Sequence, residues 1–98
     1  MGLTIPDKVK IGGIVYDVKF VDAGQVSKDD WNMKGCIIYS KQEIRILKGM
    51  AQDYTNEVFL HELLHGIFDH CGFEQDDNVV DRLAMCMYQV LKDNKLNF

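Results

Sequence analysis

The first half of the chain alternates polar and apolar residues, which is the period of a β-strand with one buried face. The alternation runs through Lys8–Ile11 and through Ile14–Val21, and Gly12 and Gly13 separate the two segments. A type I′ turn requires positive φ at both central residues, so two glycines at this point are typical of a hairpin. We therefore predict that the two segments pair as an antiparallel β-hairpin.

A second pair of apolar segments follows a polar connection. Residues 22–35 are mostly polar and contain the only tryptophan, Trp31, so we expect them to form a loop. Residues 36–39 and Glu43–Leu47 are again strand-like, and Lys48 and Gly49 end the second of them. Together with the hairpin, they predict a small antiparallel sheet of about three or four strands.

From Asp53 onward the apolar positions recur with the period of an α-helix. Asp53 and Thr55 are both candidates for the N-cap of this first helix, and Gly72 is well placed to end it in the left-handed conformation. Its predicted buried stripe consists of Leu60, Leu64, Ile67 and Cys71.

A second helix is predicted from Asp76 to Asp93, after a short link. Its apolar stripe consists of Val80, Leu83, Ala84, Met87 and Leu91. Because both helices have an apolar stripe to bury, we expect them to pack against each other and against the sheet. The expected fold class is α+β, with a single compact domain over residues 1–98.

Length, charge and hydropathy argue against several classes of function. The chain has 98 residues, of which 47% are hydrophobic, enough for one core but not for two. Its net charge of −4 is opposite in sign to that of a nucleic-acid-binding surface, which needs clustered Lys and Arg. No stretch approaches the ~20 apolar residues of a membrane span, so we expect neither a nucleic-acid nor a membrane partner.

The expected location is the cytoplasm. The sequence starts Met-Gly-Leu-Thr-Ile-Pro and lacks the basic and apolar regions of a signal peptide. Cys36, Cys71 and Cys86 are odd in number and widely spaced. This pattern suits free thiols in a reducing compartment better than a disulfide scaffold.

The strongest chemical signal is the pentad His61-Glu62-Leu63-Leu64-His65, an HExxH motif within the first predicted helix. Histidines four residues apart lie about 40° apart around a helix, so both imidazoles can reach one ion. Glu62, adjacent to the first histidine, can then act as a general base toward a water molecule. The motif predicts a zinc site with His61 and His65 as ligands and Glu62 as the catalytic residue.

A catalytic zinc ion takes three protein ligands and one water molecule, so a third ligand is required. The metzincin pattern is excluded, because Phe68 and Cys71 stand where that pattern has glycine and histidine. His70 would face away from the histidine pair, and Cys71 belongs to the apolar stripe. The remaining candidates are the carboxylates of Glu74, Asp76, Asp77 and Asp81.

The pentad and the segment after it resemble the gluzincins, in particular their smallest members, the minigluzincins. In that family a second helix carries a glutamate ligand, often in an ExxxD pattern whose aspartate braces a ligating histidine. The segment from Asp77 to Asp81 has this spacing, with Asp in place of Glu. The resemblance therefore implies Asp77 as the third ligand and Asp81 as the bracing residue. Because an Asp ligand is one methylene shorter, the two helices would have to approach more closely.

The chain also resembles the ImmA/IrrE-type peptidases of phages and mobile elements, through Asp81-Arg82-Leu83-Ala84. Both resemblances imply a zinc metallopeptidase that hydrolyses a peptide or protein substrate. We expect the substrate to pair with an edge strand near Glu43–Leu47. The alternative is a zinc-stabilised binding or regulatory module with little or no turnover. Candidate oxyanion donors, which are otherwise core or rim aromatic residues, are Tyr39, Tyr54 and Tyr88.

Overall fold

The computed structural model of the protein describes residues 4–96. Four strands come first and two long helices follow, so the predicted α+β class is confirmed. A short 3-10 helix, Tyr39–Lys41, separates the third and fourth strands. The elements are β1 (Lys8–Ile11), β2 (Ile14–Val21), β3 (Gly35–Ile38), β4 (Glu43–Leu47), α1 (Gln52–Cys71) and α2 (Asp77–Asp93).

The predicted first hairpin is confirmed. β1 and β2 pair antiparallel, with Ile11 opposite Ile14 at the turn. Gly12 and Gly13 have φ angles of 58° and 89°, which is the conformation that a type I′ turn requires and that glycine adopts without steric cost.

The sheet has the strand order β1-β2-β4-β3. The sequence predicts a wholly antiparallel sheet, and the structure corrects this at one strand pair. β4 pairs parallel with β2 and antiparallel with β3. Residues 22–34 cross to the far edge of the sheet, and β4 then returns between β2 and β3. A long crossover of this kind is what a parallel pair needs. Consequently β4 lies inside the sheet and β3 forms an edge next to α1.

α1 packs on one face of the sheet, and α2 packs mainly on α1 rather than on the sheet as predicted, so the core extends from the sheet through α1 to α2. Ile44 and Ile46 on the central strand β4 are fully buried at 0% exposure. The sheet also contributes Ile11, Tyr16 and Val18, and the helices contribute Phe59, Leu60, Leu64, Val80, Ala84 and Tyr88.

Two residues that the sequence places in the buried apolar stripes of the helices are exposed, so these two predictions are wrong. Leu83 is 40% exposed, because α2 packs through Val80, Ala84 and Tyr88, which rotates its buried stripe away from Leu83. Cys71 is exposed, since it is the last residue of α1.

The helix termini agree only in part with the sequence prediction. α1 begins at Gln52, and its N-cap is Ala51, which provides no side-chain cap, so both Asp53 and Thr55 were wrong as N-caps. Gly72 does end α1 in the left-handed conformation, with φ 74°. Asp76 is the N-cap of α2 and accepts hydrogen bonds from the backbone N–H groups of Asn78 and Val79.

Helix α1 lies close to the sheet because of a glycine on its inner face. A Cβ atom at Gly66 would lie only 2.7 Å from Ile11 Cδ1 and 3.1 Å from Ile37 Cδ1. Gly66 follows His65 directly, so a side chain here would push this part of α1 away from the sheet. Neither α1 nor α2, the helices described within residues 4–96, has the length and apolar character needed to cross a membrane.

Candidate metal centre

The two histidines of the pentad face each other on α1. His61 Nε2 and His65 Nε2 are 3.0 Å apart, and the ring centroids are 4.6 Å apart. Their side chains are 22% and 15% exposed, so both rings are partly shielded while still reaching the surface. The four-residue spacing on one regular helix is sufficient to produce this arrangement.

Asp77, the first residue of α2, joins the histidine pair from the other helix. Its Oδ1 atom lies 3.1 Å from His65 Nε2. One ligand atom each from His61, His65 and Asp77 lies within 4.8 Å of the others. Ligands around a tetrahedral zinc ion at 2.0–2.1 Å would be about 3.3 Å apart, close to the two separations seen here. The structure therefore brings together the three predicted ligands; that they bind zinc stays a prediction.

The histidines direct Nε2 toward this centre and Nδ1 away from it. His61 Nδ1 lies 3.6 Å from Asp81 Oδ1, which places Asp81 beside the ring that it was predicted to brace. His65 Nδ1 lies 2.6 Å from Gln75 Oε1, and Gln75 Nε2 donates to the His65 carbonyl oxygen at 3.0 Å. The sequence reasoning missed Gln75, because no motif places a glutamine ten residues after a ligating histidine.

The other candidate ligands have different surroundings. The Asp76 carboxylate caps α2, and the Glu74 side chain is exposed in the link between the helices. His70 packs against the β1–β2 turn, where its ring occupies the space that a Cβ atom at Gly12 would need. Among the described residues, the group able to share an ion is the one with Asp77.

Glu62 is buried beside the histidine pair, at 7% exposure. Its carboxylate faces β3 at Gly35, where an added Cβ atom would lie 3.2 Å from Glu62 Oε2. Burial raises the pKa of Glu62 to about 7; His65 opposes this shift and Asp77 adds to it. Burial, together with the charge of His65, lowers the pKa of His61, against the smaller opposing effects of Asp81 and Asp77.

A cleft of about 840 Å³ opens in front of these groups, between β3, α1 and the start of α2. Both Tyr39 and Tyr54 line it. The Tyr39 hydroxyl donates to the His65 carbonyl oxygen at 3.3 Å, and burial raises the pKa of Tyr39 to about 12. The remaining lining includes Met33, Lys34, Gly35, Cys36, Ile37, Glu57, Val58, Asn78, Ala84 and Met85.

Tyr88 does not belong to this cleft. It is 7% exposed and lies between the helices, where its hydroxyl donates to Asp53 Oδ1 and accepts from Asn56 Nδ2. Both hydrogen bonds of the Tyr88 hydroxyl therefore connect α2 to α1. Tyr88 cannot donate to a substrate oxyanion in the cleft, so that prediction is wrong for this residue.

The predicted substrate-pairing strand was also wrong. Both edges of Glu43–Leu47 are already hydrogen-bonded, to β2 on one side and to β3 on the other. The edge strands of the sheet are β1 and β3, and Gly35, Cys36 and Ile37 of β3 line the cleft.

Comparisons with protein-family models, with curated proteins and with solved structures find no match to this chain.

Proposed function

We propose that this chain is a zinc-dependent peptidase, with His61, His65 and Asp77 as metal ligands and Glu62 as general base. The observation that carries the proposal is the convergence of three ligand atoms beside a buried carboxylate in an open cleft. The gluzincin-like spacing of the sequence supports the same assignment.

The donor set suits zinc. Two imidazoles and one carboxylate are the ligand types of catalytic zinc sites in peptidases, where a fourth position is left for water. The cleft in front of the three ligands leaves room for that position. Bound zinc would supply Lewis-acid polarisation of a carbonyl oxygen and would acidify a water molecule.

Glu62 supplies the proton transfers in this proposal. It follows His61 directly in the helix, and its carboxylate is held beside Gly35 on the wall of the cleft. In the proposed reaction Glu62 accepts a proton from the attacking water and delivers it to the leaving amine. Burial removes competing solvent from the carboxylate, so the proton is transferred between the reacting groups.

The substrate class that the cleft favours is an extended peptide. β3 has a sheet edge beside the metal centre, and an extended peptide can add to such an edge through backbone hydrogen bonds. The apolar wall formed by Val58 and Met85 would then contact a substrate side chain. We further propose a cytoplasmic location, since all three cysteines are free thiols.

A zinc-stabilised binding module is the second candidate, and one observation favours it. The ligands come from two helices, His61 and His65 from α1 and Asp77 from α2, so a bound ion would cross-link them. Metal sites that join separate elements contribute directly to folding stability. In that case the site would have a structural role without turnover.

Glu62→Gln separates the two functions, because an amide cannot accept the proton of the water molecule. Purified wild type and variant would be assayed on a broad peptide library, with and without chelator. The peptidase proposal expects chelator-sensitive cleavage by wild type, a loss of about 10²–10⁴-fold in Glu62→Gln, and unchanged zinc content. Glu57→Gln, which alters another carboxylate of the cleft, is the matched control and should retain most activity.

Equal cleavage by wild type and Glu62→Gln would contradict the assignment of the general base. Stoichiometric zinc without cleavage by wild type would support the binding module instead.

A further inference from the structure

A glutamine in the link between the two helices contacts His65 with both ends of its amide. Gln75 Oε1 lies 2.6 Å from His65 Nδ1, and Gln75 Nε2 lies 3.0 Å from the His65 carbonyl oxygen. We propose that Gln75 is a positioning residue that orients the His65 imidazole so that its Nε2 lone pair is directed into the metal centre.

The hydrogen-bonding partners determine which way the amide points. A backbone carbonyl oxygen can only accept, so the NH₂ group of Gln75 must face the His65 carbonyl. Oε1 of Gln75 then faces the imidazole, and since Oε1 can only accept, His65 Nδ1 must carry the hydrogen. A neutral imidazole with its hydrogen on Nδ1 has a free lone pair on Nε2, which is the form that a metal ion requires.

The two histidines are not held equally. The corresponding partner of His61 is Asp81, whose Oδ1 is 3.6 Å from His61 Nδ1, which is too far for a hydrogen bond. Gln75, by contrast, makes two hydrogen bonds to a single residue, one to the ring and one to the backbone of the same turn. Gln75 therefore holds the Nδ1 side of the His65 ring relative to α1, while His61 and Asp77 contact its Nε2 side.

The consequence for metal binding rests on the proposed function, whereas the orientation of the ring does not. Groups that hydrogen-bond the second nitrogen of a ligating histidine typically contribute about 10–100-fold to metal affinity. We expect a loss of this size when Gln75 is replaced by a side chain that cannot accept a hydrogen bond.

The test compares wild type with Gln75→Leu, Gln75→Ala and Gln75→Glu. Leucine and alanine remove both hydrogen bonds, whereas glutamate keeps an acceptor for His65 Nδ1. Glu74→Leu places the same apolar side chain one residue earlier in the link and is the matched control. Two quantities are measured: the side-chain rotamer of His65 by NMR in chelator-treated protein, and zinc affinity by competition with a chromogenic chelator.

We expect one His65 rotamer in wild type, Gln75→Glu and Glu74→Leu, and averaging between rotamers in Gln75→Leu and Gln75→Ala. Zinc affinity should fall about 10–100-fold in the leucine and alanine variants and recover in Gln75→Glu. A single unchanged rotamer in both truncated variants would overturn the proposal, and so would full zinc affinity in both. If wild type itself binds no zinc, the proposed function fails, and the rotamer measurement alone decides the role of Gln75.

Discussion

His65 Nε2 and Asp77 Oδ1 lie 3.1 Å apart although they belong to different helices. An ion shared by these two atoms would tie the middle of α1 to the first turn of α2. The link between the helices is only residues 72–76, and Asp76 caps α2 within it, so the position of Asp77 is set by local structure. Metal binding and the packing of the two helices are therefore expected to be coupled.

This coupling predicts that zinc stabilises the folded protein. A ligand that binds only the native state adds about 2.7 kcal/mol at a free concentration of about 100 times Kd. Thermal unfolding with and without zinc should show this gain in wild type and little of it in Asp77→Ala. Asp29→Ala, an exposed loop substitution, should behave as wild type. Equal stabilisation of Asp77→Ala and wild type would remove Asp77 from the ligand set.

Gly35→Ala should destabilise the protein by crowding the strand–helix interface. The added methyl group would lie 2.5 Å from Val58 Cγ1 and 3.2 Å from Glu62 Oε2. Overpacking of this kind typically costs about 1–3 kcal/mol. Here it would also displace the carboxylate of Glu62, the proposed general base. Urea unfolding should show the loss, and cleavage should decrease more than zinc content. A variant with wild-type stability would show that β3 and α1 separate easily at this point.

Tyr88→Phe should destabilise the helix pair without affecting the cleft. The Tyr88 hydroxyl accepts from the amide of Asn56, which is 4% exposed, and donates to Asp53. Removal leaves a buried amide donor unpaired, at a cost of about 1–3 kcal/mol. The zinc affinity of the folded protein should be nearly unchanged, because Tyr88 does not line the cleft and the variant weakens folding rather than the site. Tyr54→Phe, at a position that is 46% exposed, is the control and should have nearly wild-type stability in the same urea titration.

Glu43 should make stability depend on pH in the acid range. Lys19 and Arg45 hydrogen-bond its carboxylate, at 2.6 Å and 2.8 Å, and these bonds lower its pKa in the folded protein, with Lys19 the larger cause. A lowered folded pKa gives stability that is present above the unfolded pKa and is lost as the pH falls through the folded value.

Glu43→Gln should therefore reduce the free energy of unfolding at neutral pH, with a difference that shrinks as the pH falls below the ordinary pKa of 4.5. Asp22→Asn is the control. Both side chains of the Asp22–Lys48 ion pair are exposed, so this pair should contribute little to stability. A difference between Glu43→Gln and wild type that is constant over the whole pH range would contradict the ion-pair explanation.

Local patterns in the sequence were sufficient to predict the strands and helices and the convergence of the two histidines. Gly12 and Gly13 determine the turn through their own backbone freedom, and His61 and His65 converge because a helix has a fixed period. The family-like spacing predicts Asp77 as the third ligand. Asp77 lies beside both histidines because the short link leaves α2 little freedom in where it begins.

Features that depend on tertiary packing were not predictable in this way. The position of β4 between β2 and β3 follows from the crossover of residues 22–34, for which the sequence contains no periodic signal. Leu83 is exposed and Tyr88 is buried because the rotation of α2 about its axis depends on how Val80 and Ala84 pack against their neighbours. Gln75 contacts His65 only because the link folds back past the last turns of α1.

The most direct test of the central claim is the zinc stoichiometry of the purified protein. After removal of metal by chelator, the protein would be titrated with zinc and the bound metal measured by elemental analysis, for wild type, His61→Ala, His65→Ala and the control His70→Ala. The proposed site predicts one zinc per chain in wild type and His70→Ala, and strongly reduced zinc in both pentad variants. Full zinc content in His61→Ala and His65→Ala, or no zinc in wild type, would contradict the metal centre.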